Sequence, residues 1–130
     1  LDTLNDLEKP NVGVDEVLIR NHVAGVNFKD LLLSQGRYHG GNPDLPFIPG
    51  IEAAGVIAEI GENVKRFTVG QRVVYMTGSM ESKHNCCYAE YNRVPETGFI
   101  QVIPEDVSFS AACALVIQGL TIVSRFKVQE

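Results

Sequence analysis

The chain has no surplus of positive charge and no long apolar run. Its 130 residues contain 11 Lys and Arg against 16 Asp and Glu, so the formal net charge is -5. Because that balance offers no basic surface for a nucleic-acid backbone, we expect no nucleic-acid partner. No apolar segment is long enough to cross a bilayer and no signal-peptide pattern opens the chain, so we expect no membrane association.

Cysteine is also scarce, with only Cys86, Cys87 and Cys113 in the whole sequence. A small, odd number without regular spacing does not resemble a disulfide framework, which favours a reducing compartment, and we predict the cytoplasm. His84 stands close to the first two cysteines, but this spacing is not that of a zinc site. We interpret these residues as surface loop and strand positions without special chemistry, and we predict no metal site.

The glycine-rich motif of dinucleotide-binding domains, G-x-G-x-x-G, is absent. Gly36, Gly40 and Gly41 have the wrong spacing and follow a predicted helix rather than a strand. The chain also begins with Leu1 instead of Met. We therefore expect a fragment, natural or engineered, or a processed product, which by itself would bind a dinucleotide poorly.

The residues that are present indicate one β-rich domain. Hydrophobic residues make up 45% of the chain, and 12 glycines and six prolines imply many turns. Alternating apolar and polar residues, bounded by turn residues, predict strands. The predicted strands span residues 14–26, 53–60, 72–76, 86–94 and 99–103.

Two segments have a helical pattern. In residues 28–35 the side chains of Phe28 and Leu31 fall on one helical face, Asp30 occupies the first turn, and Gly36 follows as a C-cap. The proline-containing residues 37–49 then predict a loop.

The second helix is predicted over residues 111–118, where Ala and Leu are frequent. Ser108 or Ser110 would cap its beginning. We expect residues 119–121 to break this helix and a helical or strand-like pattern to resume over 122–128.

Four stretches, in this order and spacing, resemble the medium-chain dehydrogenase/reductase superfamily. The closest branch is that of the quinone oxidoreductases, which includes zeta-crystallin, and enoyl-thioester reductases are near relatives. The matching stretches are Val-Asn-Phe-Lys-Asp at 26–30 with Gly-Arg-Tyr at 36–38, Pro-Gly-Ile-Glu-Ala-Ala-Gly-Val-Ile at 49–57, the Gly-, Val- and Phe-containing segment 61–73, and residues 111–121.

The resemblance implies a fold that is mainly β with a few helices, namely the GroES-like, partly open β-barrel of the N-terminal catalytic domain. Residues 1–118 would form this substrate-binding domain. Residues 119–130 would begin the connection to a Rossmann domain that the chain does not contain. In such enzymes the full-length protein is expected to be a homodimer.

The resemblance also implies chemistry without zinc. Zinc-dependent alcohol dehydrogenases place a cysteine where Asn27 stands and a histidine where Ile51 stands, and neither residue present here is a suitable ligand. The expected reaction is hydride transfer from NADPH, or from NADH, to a quinone or an α,β-unsaturated carbonyl compound.

Four residues are candidate cofactor contacts by this resemblance: Asn27, Phe28, Tyr38 and Thr121. The Asn27 amide could orient the nicotinamide or a substrate carbonyl, although an N-cap asparagine that bonds its own backbone is the alternative. Tyr38 is also the candidate catalytic residue, as a donor to a developing oxyanion, unless it is only a loop aromatic. Thr121 and the adjacent backbone amides could hold phosphate or ribose, unless it merely ends a helix.

Three other positions qualify the resemblance. Glu52 lies in an apolar run, so its carboxylate must be paired or hydrogen-bonded or have a raised pKa, and we interpret it as a buried structural residue. Leu32 replaces a tyrosine, and Gln118 a lysine, that are common among relatives.

Two alternative functions remain open at this stage. One is an enoyl-thioester reductase domain of the fatty-acid or polyketide type. The other is a non-enzymatic GroES-like interaction module, although the proline-containing loop around Gly40 and Gly41 is shorter than a co-chaperonin would need.

Overall fold

The computed structural model describes residues 7–39, 41, 44, 47–77 and 87–126. Within these residues the chain forms five strands and two helices in the order β-α-β-β-β-β-α. The elements are β1 (Glu16–Ala24), α1 (Phe28–Ser34), β2 (Glu52–Ile60), β3 (Arg72–Met76), β4 (Tyr91–Pro95), β5 (Phe99–Val102) and α2 (Phe109–Phe126).

The strands form one antiparallel sheet in the order β4-β1-β2-β3-β5. The pairing of β1 with β2 shifts register twice, between Leu18 and Ile19 and between Asn21 and Val23. Such shifts bend a strand and increase its twist, which curls the sheet into a half-barrel. The predicted mainly-β, partly open barrel is confirmed.

Each face of the curled sheet carries its own apolar cluster, because side chains alternate along the strands. Ala53 and Val73 belong to the larger cluster, on one face of the sheet, whereas their neighbours Ala54 and Val74 belong to the cluster on the other face. Helix α2 covers that other face with three buried side chains, Ala112, Cys113 and Val116. Full burial of one Val or Ile side chain contributes about 1.5–3 kcal/mol, so this packing holds α2 against β2 and β3.

The strand predictions are confirmed, with one marked difference in extent. The predicted limits of β3 match, and those of β1, β2 and β5 differ by up to two residues. Strand β4 begins at Tyr91 instead of residue 86, since the backbone amides of Cys87 and Tyr88 donate to the carbonyls of Gly50 and Pro49. Part of the predicted segment, residue 86, lies outside the described residues.

Helix α1 begins where the sequence predicts and ends one residue earlier. Gln35 is its C-cap, and Gly36 follows with a φ of 65°, the left-handed conformation that a C-capping glycine adopts readily. The predicted apolar face is not the buried one: Phe28 is 73% exposed, whereas Asp30 and Leu33 are buried. The helix therefore leaves an aromatic side chain on the surface.

Helix α2 runs through the predicted break at residues 119–121, so that prediction is wrong. A single glycine costs a helix interior only about 0.5–1 kcal/mol, which the buried side of α2 offsets. Ser108 begins the helix as predicted, because its Oγ accepts a hydrogen bond of 3.1 Å from the Ala111 amide. Neither helix of the described chain is both long and apolar enough to span a membrane.

Candidate functional site

Asn27 lies at the junction of β1 and α1, where it is the N-cap of the helix. Its backbone amide donates to Asp30 Oδ2 over 2.8 Å, and the Asp30 amide donates to the Asn27 carbonyl over 2.9 Å. The Asp30 carboxylate near the helix N-terminus is favoured as predicted. These bonds fix the Asn27 backbone and leave its side chain available for other contacts.

The Asn27 side chain bridges two distant parts of the chain. Its Nδ2 donates to Glu52 Oε1 over 2.8 Å, and its Oδ1 accepts from Gln118 Nε2 over 3.2 Å. Asn27 is therefore an N-cap, as in the alternative interpretation, and its side-chain amide also reaches β2 and α2. Asn27 is half-buried and Gln118 is exposed, so the amide lies at the edge of the surface.

Glu52, the first residue of β2, is only 1% exposed. Besides Asn27, it contacts the backbone amide of Ile117, which donates to Oε2 over 3.2 Å. A side chain at Gly25 would not fit, because a Cβ there would lie 2.4 Å from Glu52 Oε1. The interpretation of Glu52 as a buried, hydrogen-bonded carboxylate is confirmed.

Cys113 lies next to Glu52 and is 3% exposed. Burial, and secondarily the nearby Glu52 charge, raise the pKa of the thiol to about 11, against a weaker lowering by a hydrogen bond with the Gly25 backbone. Because the thiolate is the reactive form, the raised pKa makes Cys113 a poor nucleophile at neutral pH.

A second buried carboxylate, Asp30, organises the other side of the Asn27 junction. Tyr88 Oη donates to Asp30 Oδ2 over 3.0 Å, and the Gly50 amide donates to Oδ1 over 3.3 Å. Gly50 has a φ of 100°, and a Cβ there would lie 2.5 Å from the Tyr88 ring. Burial and the hydrogen bond to Asp30 raise the pKa of the Tyr88 phenol, so it stays protonated as the donor.

Tyr38 lies beyond the C-terminal end of α1, and its ring is half-buried. It lines an open groove of about 370 Å³ together with Leu32, Gly36, Arg37 and His39. The Lys29 ammonium lies 5.1 Å from the centroid of the Tyr38 ring, within the range of a cation–π contact. Tyr38 thus lies in a groove beside a cation.

Thr121 and Phe28 are both exposed. Thr121 lies in α2, one turn after Gln118, so it follows the residue that contacts Asn27. The backbone amides next to Thr121 lie inside α2, where amides ordinarily donate to carbonyls of the preceding turn. Phe28 and Val26, at 73% and 75% exposure, form an apolar surface on both sides of Asn27.

Two polar partners in the site were missed from the sequence. Gln118 was considered only as the replacement of a lysine common among relatives, and Tyr88 was assigned no role. Gln118 stands 91 residues from Asn27, so no local pattern pairs them. No local pattern indicated Tyr88 either, since the burial of Asp30, which makes its carboxylate require donors, is visible only in the structure.

Within the described residues there is no group of three or more His, Cys, Asp and Glu side chains that could hold a metal ion. His84 and Cys86 lie outside the described residues. Cys87 was predicted as a surface residue, which is wrong: it is 1% exposed and packs in the same cluster as Ala53 and Val73.

The known proteins that this chain resembles include several quinone oxidoreductases. The family model described as the alcohol dehydrogenase GroES-like domain matches residues 13–105. A probable quinone oxidoreductase of Schizosaccharomyces pombe is 39% identical over 115 residues, which is 88% of this chain and 32% of that protein. A quinone oxidoreductase of Pseudomonas aeruginosa is 34% identical over 116 residues, 89% of this chain and 33% of that protein.

The fold is also similar to solved structures. The Escherichia coli quinone oxidoreductase complexed with NADPH matches with a TM-score of 0.77 and 28% identity, over 90% of this chain and 33% of that one. The chain thus spans about a third of the length of the relatives it matches. It belongs to the alcohol dehydrogenase GroES-like domain family, within the medium-chain dehydrogenase/reductase superfamily and among the relatives of quinone oxidoreductases.

Proposed function

We propose that this chain is the substrate-binding domain of a zinc-independent, NADPH-dependent reductase that acts on quinones or α,β-unsaturated carbonyl compounds, with NADH as the possible alternative cofactor. The observation that carries the proposal is the Asn27 amide, held between Glu52 and Gln118 at the surface and flanked by exposed apolar side chains. The named activities of the relatives support the same reaction class.

The residues around Asn27 suit a nicotinamide ring. One Nδ2 hydrogen and one Oδ1 lone pair of Asn27 are left after its bonds to Glu52 and Gln118, and a carboxamide could use both. The exposed Phe28 offers an apolar surface for a ring. When bound, the reduced nicotinamide would supply the hydride that reduces an electrophilic carbon.

Tyr38 and Thr121 would complete the cleft in different ways. Tyr38, beside Lys29 in its groove, would donate a hydrogen bond or a proton to the oxygen on which negative charge develops. Thr121 would contact ribose or phosphate through its hydroxyl group rather than through backbone amides. Gln118 is a better candidate than those amides for a polar contact, since its side chain lies beside Asn27.

A reaction without zinc is proposed because of the residues at two positions, 27 and 51, where zinc-dependent alcohol dehydrogenases have ligands. The Asn27 amide is already bonded to Glu52 and Gln118, and Ile51 carries no ligand atom in its side chain. Quinones and conjugated carbonyls spread developing negative charge, so they need a Lewis acid less than simple ketones do.

The complete protein would contain a second domain. A Rossmann domain would follow the substrate-binding domain of residues 1–118, with residues 119–130 as the start of the connection. The complete protein would be a cytoplasmic homodimer that binds a small-molecule substrate and no nucleic acid.

The complete polypeptide tests the proposal directly. Loss of NADPH absorbance is measured with a quinone, an enone and an enoyl-thioester, with and without a strong zinc chelator. We expect turnover of the quinone or enone that the chelator does not change. Turnover of the enoyl-thioester alone would favour the alternative reductase, and loss of activity on chelation, restored by zinc, would refute zinc independence. No turnover of any substrate would leave the interaction module as the better explanation.

A further inference from the structure

Glu52 is an unusual residue for the position it occupies. Its carboxylate is buried to 1% exposure, and neither ion pair in the described part of the chain, Lys9–Glu59 or Arg93–Glu16, includes it. A buried carboxylate without a cationic partner is costly, and an apolar side chain of similar volume would pack there at lower cost. Buried charged residues without an ion-pair partner are concentrated at functional sites. The groups that the Glu52 carboxylate contacts are therefore the ones to consider.

Glu52 determines which way the Asn27 amide faces. The Nδ2 donor of Asn27 lies 2.8 Å from Oε1, and the Ile117 amide donates to Oε2, so both carboxylate oxygens of Glu52 accept hydrogen bonds. Oδ1 then faces the opposite way, toward Gln118 Nε2 at 3.2 Å. Without Glu52 the amide could rotate by half a turn, since its two ends have nearly the same shape.

The second carboxylate oxygen is held by the backbone of α2. The Ile117 amide, which in a regular helix donates to the carbonyl of Cys113, lies 3.2 Å from Glu52 Oε2. A backbone donor cannot reverse its polarity as a side-chain amide can. Ile117 therefore fixes the carboxylate, and the carboxylate fixes Asn27.

We propose that Glu52 is a positioning residue, which acts through Asn27 by fixing the donor and acceptor that this amide presents to the nicotinamide. The inference rests on the proposed function for the role of the cofactor. The orientation of the amide itself rests only on the contacts among Asn27, Glu52, Ile117 and Gln118.

Glu52→Gln is the informative substitution, because it preserves size and removes one acceptor. If the new amide oxygen accepts from Ile117, its NH2 group faces Asn27, which must then turn its Oδ1 inward. In the complete protein we expect kcat to fall about tenfold or more, in the range typical of residues that orient a functional group. The Kd of NADPH should change by less than about threefold, since the pyrophosphate-binding loop supplies most of the dinucleotide affinity.

A double-mutant cycle separates positioning from a merely structural role. Asn27→Ala and Glu52→Gln are measured singly and together, and Glu59→Gln serves as the same substitution at an exposed site of the same strand. If Glu52 acts through Asn27, the double variant loses no more kcat than Asn27→Ala alone. Multiplied losses, or a Glu52→Gln variant with the wild-type kcat, would refute the inference while leaving the proposed function intact.

A measurement on the wild-type protein does not depend on whether a variant folds. Nuclear magnetic resonance of the Asn27 side-chain amide should show slow exchange for the hydrogen that donates to Glu52 and faster exchange for the other hydrogen of the NH2 group. Proximity of the NH2 group to Gln118 instead, with Oδ1 toward Glu52, would contradict the inference whatever the activity. Absence of NADPH turnover in the wild-type protein, together with the expected amide orientation, would refute the proposed function and with it the role of Glu52 in orienting a cofactor.

Discussion

Buried polar side chains hold this domain together at the points where apolar packing alone would leave backbone groups without partners. The Tyr75 hydroxyl, at 0% exposure, donates to Asn21 Oδ1 over 2.9 Å, and Asn21 Nδ2 donates to the carbonyls of Cys87 and Ala89 over 3.2 and 2.8 Å. Burial raises the pKa of the Tyr75 phenol, which keeps it a donor. This chain of bonds ties β3, β1 and the segment before β4 together, as Glu52 and Asp30 tie the Asn27 junction.

The Cys113 thiol gives a prediction at the same scale. Its pKa is about 11 in the folded protein against an ordinary value of 9.0, so the folded state binds the thiol proton more tightly than the unfolded state does. The stability that this provides is complete below about pH 9 and is lost as the pH rises toward about 11. Urea unfolding should therefore show a steeper loss of stability for the wild type than for Cys113→Ala between about pH 8 and about pH 10.5.

The difference between the two proteins is the quantity that tests this prediction. Tyr75 and Tyr88 also have raised pKa values, but they are common to both proteins and cancel. The cavity left by Cys113→Ala lowers stability equally at every pH. Parallel pH dependences would show that Cys113 titrates alike in the folded and unfolded states.

At the scale of helices and strands, long-range packing determined how far α2 extends, which the local sequence pattern did not predict. The pattern correctly predicted helix over 111–118 and a serine cap, but it favoured a break at Gly119. Ala112, Cys113 and Val116 pack against the sheet and stabilise the turns before that residue, so the helix continues through it. Likewise, the start of β4 depended on the bonds that Cys87 and Tyr88 make to Pro49 and Gly50, which no alternation of side chains reveals.

Gly119→Ala should stabilise the protein by about 0.5–1 kcal/mol, because alanine has the higher helix propensity. A Cβ at this position would meet only Leu115 atoms at 3.7 and 3.8 Å, which are ordinary contacts. Urea unfolding measures the change. A less stable Gly119→Ala variant would show that α2 is interrupted at this residue.

Gly25→Ala is the control with the same change of side chain. It should destabilise the protein, since its Cβ would lie too close to Glu52 Oε1.

At the scale of the whole molecule, the described residues include apolar side chains that are exposed and do not pack in the core. Exposed apolar side chains continue along α2 from Leu115 onward, and others flank Asn27: Leu115, Leu120, Ile122, Val123, Val26 and Phe28 are all at least 44% exposed. Contiguous exposed apolar residues mark interaction surfaces more often than chance. In the proposed enzyme this surface would face the cofactor and the dinucleotide-binding domain, which the relatives' length leaves room for.

The 130-residue chain by itself should bind NADPH weakly. It contains no glycine-rich strand-turn-helix unit to hold the pyrophosphate, and the Asn27 site would contact only the nicotinamide end. Calorimetric titration with NADPH should therefore give no saturable binding in the micromolar range, with circular dichroism to verify that the chain is folded. Micromolar affinity would mean that the chain holds most of the dinucleotide itself.

The order of strands and helices and the turns at Gly and Pro were accessible from the sequence, because alternation, capping and turn preferences act between residues close in the chain. The superfamily was accessible because four stretches of the sequence resemble it. The contacts of the candidate site were not, since Asn27, Glu52 and Gln118 meet only after β1, β2 and α2 pack together. The burial of Cys87 and the continuity of α2 depended on the same packing. Which atoms of Asn27 face outward was decided by the tertiary structure, because Nδ2 donates to the buried Glu52 carboxylate, 25 residues away.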